Sequence, residues 1–128
     1  MTETEKPRSS DSHTERARRL ATSTLANALD ACGLHNNVIV HIKAVSPGFR
    51  FAGPAVTVKE LAGEHGDFTS EDFRVGAMID AARKGDVIVV DCAGAEASTW
   101  GGMASLAAKL KGVAGLLVDG AVRDLEEM

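Results

Sequence analysis

Gly85-Asp86-Val87-Ile88-Val89-Val90-Asp91, Trp100-Gly101-Gly102-Met103 and Val113-Ala114-Gly115-Leu116-Leu117-Val118 together decide the fold. The first and last runs read as strands, because each is apolar without a break, as a strand covered on both faces must be. Between them Met103, Leu106, Ala107 and Leu110 recur at helical spacing and are expected to form a buried stripe. Lys109 and Lys111 lie off that stripe, and Gly112 is a suitable stop. Strand, helix and strand make a parallel β-α-β unit. Its second strand runs into Asp119-Gly120-Ala121-Val122-Arg123-Asp124. Loops leaving the C-terminal ends of parallel strands open on one edge of the sheet. Gly101 and Gly102 are therefore expected to face Arg123 and Asp124 across one crevice.

Outward from this unit the signals weaken. Residues 1–11 are polar and charged and read as a disordered tail. Ser12 and Glu15 have capping-box spacing, and an apolar stripe through Leu20, Leu25 and Cys32 predicts one helix ending at Gly33. Val38 to Val45 is β-rich, and Phe49-Arg50-Phe51 and Val56-Thr57-Val58 alternate, so short strands in an antiparallel or mixed sheet are expected. Phe68, Val75, Met78, Ile79 and Ala82 share a helix face that ends at Lys84-Gly85. The class is α/β, with one domain over residues 12–128.

Composition narrows the function. A 128-residue chain with 45% hydrophobic residues can build one modest core. Its net charge of -4 supplies no general attraction for nucleic acid. No run reaches the length of a membrane span and no apolar signal core opens the chain, so a cytoplasmic protein is expected. Cys32 and Cys92 are expected as buried free thiols. His13, His35, His41 and His65 lack ligand spacing, which argues against structural zinc.

The chemistry therefore rests on the crevice. Bare glycine backbone at a helix entrance can offer N–H groups to a carboxylate. Arg123 adds a permanent planar cation, and Asp124 is a hard oxygen ligand for Mg²⁺ or Mn²⁺. Simpler readings stand beside these. Asp124 and Glu127 have N-cap and N3 spacing, Arg123 can pair with Glu126 or Glu127, and the two glycines can serve only a tight turn.

Gly85 to Asp91, Trp100-Gly101-Gly102, Gly112 to Gly115 and Asp119 to Asp124 resemble the RraA-like family. That family includes regulator of ribonuclease activity A and the 4-hydroxy-4-methyl-2-oxoglutarate / 4-carboxy-4-hydroxy-2-oxoadipate aldolases. Its signature of a glycine, twenty residues, Arg-Asp, two residues and an acid is met by Gly102, Arg123, Asp124 and Glu127. Leu25 to Asp30 and Phe51 to Val58 extend the resemblance over nearly everything after the tail.

The resemblance implies a swivelling-type β/β/α domain, a homotrimer and divalent-metal-dependent C–C cleavage of pyruvyl compounds. The expected reactions are retro-aldol cleavage of a small 2-oxo acid and decarboxylation of oxaloacetate. Carried over, Asp124 and Glu127 would serve the metal, Arg123 would be catalytic and contact substrate, and backbone of Gly101, Gly102, Met103 and Ala104 would hold its carboxylate. Gly102 stands where dedicated aldolases of the family tend to carry Asp, which shifts the expectation toward decarboxylase or broad-substrate behaviour. The family pattern continues beyond the position of Met128, so a domain incomplete at its C-terminus is expected. The alternative within the family is a non-catalytic regulator that binds an RNA-degradation enzyme.

Overall fold

A computed structural model describes residues 10–127, and the side chains of residues 12–126. Residues 1–9 of the expected tail and the Glu127 carboxylate lie outside the described residues. The elements run α1 (Ser10–Arg18), α2 (Thr22–Ala31), β1 (Ala55–Lys59), α3 (Val75–Ala81), β2 (Val87–Asp91), β3 (Ser98–Trp100), α4 (Gly102–Lys111), β4 (Gly115–Asp119) and β5 (Ala121–Val122), then a 3₁₀ turn (Leu125–Glu127).

Two parallel sheets result. The larger has the order β1-β2-β4 and the smaller pairs β3 with β5. The α/β class and the parallel β-α-β unit are as expected. The mixed sheet is not, because every described pairing is parallel. Helical crossovers, rather than hairpins, join successive strands of the larger sheet, and that connection enforces parallel pairing.

Register explains where the core sits. Val56, Ile88 and Leu116 stand side by side, as do Val58, Val90 and Val118. These two rows face Met78, Ile79 and Ala82 around α3 and Ala108 of α4, and Ile88 is 0% exposed. Burying an aliphatic side chain of this kind stabilises the fold by about 1.5–3 kcal/mol. The opposite face ends in the row Lys59, Asp91 and Asp119. Phe51 covers its other end, and its ring lies where a side chain at position 115 would stand, so only glycine fits there.

Several expectations change. The first helix breaks into α1 and α2 at residues 19–21, where Ala21 is extended (φ -69, ψ 145). The guanidinium of Arg50 takes the freed Leu20 carbonyl, and Arg18 Nε donates to Ala52 O at 3.1 Å, so the break is held by side chains from either side. Residues 38–45 and 49–51 form no strand. β propensity needs a neighbouring edge to pair with, and neither segment finds one among the described residues. Helix α3 is shorter than its apolar spacing suggests. The Asp72 carboxylate accepts from Thr69 N–H at 2.8 Å and from its hydroxyl at 2.9 Å, an alternative to helical bonding. Cys32 is exposed while Cys92 is buried, and both are free.

The largest correction concerns α4. Met103, Leu106 and Leu110 are 82%, 53% and 80% exposed, while Gly102 and Ala108 are buried. The helix packs its small residues inward, against α3 and the sheet, and turns its large apolar stripe out.

Candidate active site

The site is assembled by a feature the periodicity does not show, the short β3–β5 pair. Ser98 stands opposite Ala121 and Trp100 opposite Val122. The residues that follow, Gly101 and Arg123, are thereby neighbours, and Arg123 N–H donates to Trp100 O at 3.0 Å. Trp100 is 3% exposed and anchors the pair in the core. It is a packing residue that lies in a strand and does not open the helix. Ser98 and Thr99 precede α4 without capping it, since Gly101 is its N-cap and no side chain bonds there as a cap.

At the entrance to α4 the expected residues meet. Gly102 N–H donates to Asp124 Oδ2 at 3.3 Å, and Arg123 Nε lies 3.7 Å from the same oxygen. Ser105 N–H closes the first helical bond onto Gly101 O at 3.0 Å, so Gly102, Met103 and Ala104 have no intrahelical acceptor for theirs. Gly102, Arg123 and Asp124 are thus brought together on bare backbone at Gly101. Met103 presents its amide in the same turn but sends its side chain to solvent, and Ala104 is half-buried.

Asp124 has φ 59, outside the extended range usual for an N-cap, and its carboxylate bonds across to α4. Arg123 is paired with Asp124, not with Glu126, among the described ion pairs. The glycine pair does serve a tight strand-to-helix passage, and it also supplies the amide.

Sequence reasoning missed Ser105. Its hydroxyl accepts from Trp100 Nε1 at 2.8 Å and donates to Gly101 O at 3.1 Å, tying the turn to the buried indole. A serine four residues after the glycine is the signal that could have revealed it. Also missed was a cluster at the strand ends of the larger sheet. Lys59 Nζ lies 2.7 Å from Asp91 Oδ2, and with Ala93 N–H it holds the Asp91 carboxyl below the usual range. His41 Nε2 lies 3.7 Å from Asp119 Oδ1. The Cys92 thiol reaches Glu60 Oε2 at 3.6 Å, and burial pushes both groups up. Burial and the raised thiol both disfavour the thiolate that a nucleophile needs at Cys92.

Among the described residues, no three His, Cys, Asp or Glu side chains converge on a metal position. Asp124, half-exposed at 45%, is the described carboxylate at the crevice. Such a donor set fits hydrated Mg²⁺ or Mn²⁺, which bind through one or two carboxylates while water and substrate oxygens complete the shell. It does not fit an ion that needs a cage of protein ligands. A separate cleft of about 580 Å³ lies between β1 and α3, lined by Phe68, Phe73, Met78 and Arg74 among others. It shares no residue with the crevice.

Residues 22–128 match the RraA-like family model, described as Aldolase/RraA. Protein DlpA of Legionella pneumophila is 35% identical over 106 residues, covering 81% of this chain and 17% of DlpA. A Halalkalibacterium halodurans protein named "Putative 4-hydroxy-4-methyl-2-oxoglutarate aldolase" is 35% identical over 109 residues, 84% of this chain and 47% of that protein. Streptomyces coelicolor RraAS2, described as an unusual member of the RNase ES inhibitor RraA protein family, matches in structure with TM-score 0.80. Its identity is 25%, over 95% of this chain and 59% of that one. The chain thus spans less than two thirds of each of these relatives. With a family match over residues 22–128, most of its length, the chain belongs to the RraA-like family.

Proposed function

We propose that the crevice is the site of a divalent-metal-dependent lyase that cleaves C–C bonds in pyruvyl compounds. The observation that carries this reading is the convergence of Arg123, Asp124 and the Gly102 amide at the start of α4. The substrate class is a small 2-oxo acid, either oxaloacetate or a 4-hydroxy-4-methyl-2-oxoglutarate-type acid. The amides of Met103 and Ala104 would receive a substrate carboxylate, since a helix N-terminus favours an anion, and that of Gly102 would join them once the Asp124 carboxylate turns to the metal. Arg123 would lie against the 2-keto oxygen or the adjacent carboxylate.

Cleavage leaves the electrons of the broken bond on a pyruvate enolate, which then takes a proton from solvent. CO2 leaves from oxaloacetate, while in the retro-aldol reaction the 4-hydroxyl gives its proton to solvent and becomes the carbonyl of a second pyruvate. The guanidinium stabilises the enolate oxygen charge as it develops, an electrostatic effect worth roughly two to three orders of magnitude per donor. Asp124 would hold Mg²⁺ or Mn²⁺ directly or through water, with Glu127 as a further ligand. The bound ion would supply Lewis-acid polarisation of the keto oxygen. A cytoplasmic homotrimer is the setting we propose for this chemistry.

The test is pyruvate release from oxaloacetate and from 4-hydroxy-4-methyl-2-oxoglutarate in Mg²⁺ or Mn²⁺, measured against a metal-only blank. Release above the blank is expected, falling by about 100-fold or more in Arg123→Ala. Wild type equal to the blank for both acids would defeat the lyase reading for this chain.

The likeness to RraAS2 favours a second reading, a non-catalytic regulator that engages an RNA-degradation enzyme. Binding of such an enzyme without turnover, unchanged in Arg123→Ala, would support it.

A further inference from the structure

We propose that Gly101 is a positioning residue: its missing side chain lets Arg123 and Asp124 meet at the entrance to α4. It thereby sets the affinity of that entrance for a divalent cation. The cation part rests on the lyase reading above, while the steric part stands on geometry alone.

Backbone conformation does not require glycine at this position. Gly101 has φ -153 and ψ -171, extended geometry that any residue adopts. Space requires it instead. A Cβ built there would lie 2.7 Å from Asp124 Oδ2 and 3.3 Å from both Cγ and Nε of Arg123. The first contact is closer than Cβ atoms tolerate, so something must shift.

The backbone at Gly101 is poorly placed to give way, because it is held on two sides. The β3–β5 register sets Trp100 opposite Val122, and Arg123 N–H bonds Trp100 O at 3.0 Å. Gly101 O accepts from Ser105 N–H at 3.0 Å and from Ser105 Oγ at 3.1 Å, and Ser105 is itself bonded to the buried Trp100 indole. The exposed termini of Arg123 and Asp124 are the softer partners. A methyl group at position 101 therefore turns the Asp124 carboxylate off the Gly102 amide and separates it from Arg123.

The experiment compares wild type, Gly101→Ala, Asp124→Ala and the double variant, each verified as folded by circular dichroism. Two quantities are read: Mn²⁺ affinity from the free-ion EPR signal, and hydrogen exchange of the Gly102 amide by NMR without metal. Gly101→Ala is expected to weaken Mn²⁺ binding by about 10- to 100-fold, as displacement of a supporting group does. The double variant is expected to bind no more weakly than Asp124→Ala, because Gly101 acts through Asp124. The Gly102 amide should lose protection in all three variants.

Wild-type affinity and amide protection in Gly101→Ala would overturn the proposal, as would additive losses in the double variant. If wild type binds no Mn²⁺, the lyase reading fails, and the amide alone decides whether Gly101 positions Asp124. If Gly101→Ala does not fold, recovery of folding in the double variant supports the proposal, and no recovery overturns it.

Discussion

Cys92 and Glu60 show how burial decides chemistry at the level of single residues. Both cysteines sit in apolar stretches of sequence, yet Cys32 is exposed and Cys92 is 4% exposed. Burial and the adjacent Glu60 carboxylate push the Cys92 thiol up, away from the reactive thiolate. A thiol reagent is expected to label Cys32 quickly and Cys92 only on unfolding, and Cys32→Ser should abolish the fast phase. The partner carboxyl makes a pH signature. Burial raises Glu60 above its ordinary 4.5, so above that pH the folded chain binds more protons at this position than the unfolded chain. Stability from this group is present at low pH and declines as pH rises from 4.5 through the raised value. Glu60→Gln should flatten that decline in denaturant melts across pH, and an unchanged curve would assign it elsewhere. Asp91 acts in a different window, since its lowered carboxyl favours folding above its ordinary 3.8 and loses that effect as pH falls. The residues of the candidate site were legible because Gly102, Arg123 and Asp124 carry chemistry at a recognisable spacing. Ser105 was not, because an isolated serine on a helix declares its partners only in three dimensions.

At the scale of elements, legibility followed the strength of the local pattern. β2, β4, α4 and the Gly112 stop were readable, and Gly112 has the left-handed φ 83 that its role as a stop implies. β3 was not, since Ser98-Thr99-Trp100 looks like a helix cap until β5 is seen beside it. Hydrophobic periodicity distinguishes one face of a helix from the other but does not say what covers either. That is why the α4 stripe was read as core and is exposed. Paired substitutions test this directly by chemical denaturation. Ile88→Ala removes a fully buried side chain and is expected to cost about 2–5 kcal/mol. Leu110→Ala, at 80% exposure, should change the stability of the isolated chain by less than about 0.5 kcal/mol. Equal losses would return the stripe to the core.

The whole molecule leaves large apolar side chains uncovered. Val40, Phe49, Leu61, Met103 and Leu110 are each more than 70% exposed, and such apolar area favours association. Sedimentation equilibrium is expected to show a mass well above the 13.4 kDa protomer, whereas a monomer at micromolar concentration would remove the trimer from the account. No single apolar stripe in the sequence identifies a partner, and the homotrimer was expected from the family resemblance alone. The central claim, that Arg123 and a divalent metal held by Asp124 would stabilise a pyruvate enolate, has its own direct readout. Pyruvate in D₂O with Mg²⁺ and the protein should lose its methyl proton NMR signal faster than with Mg²⁺ alone, and Arg123→Ala and Asp124→Ala should abolish that gain. Exchange at the metal-only rate with wild-type protein would contradict the account.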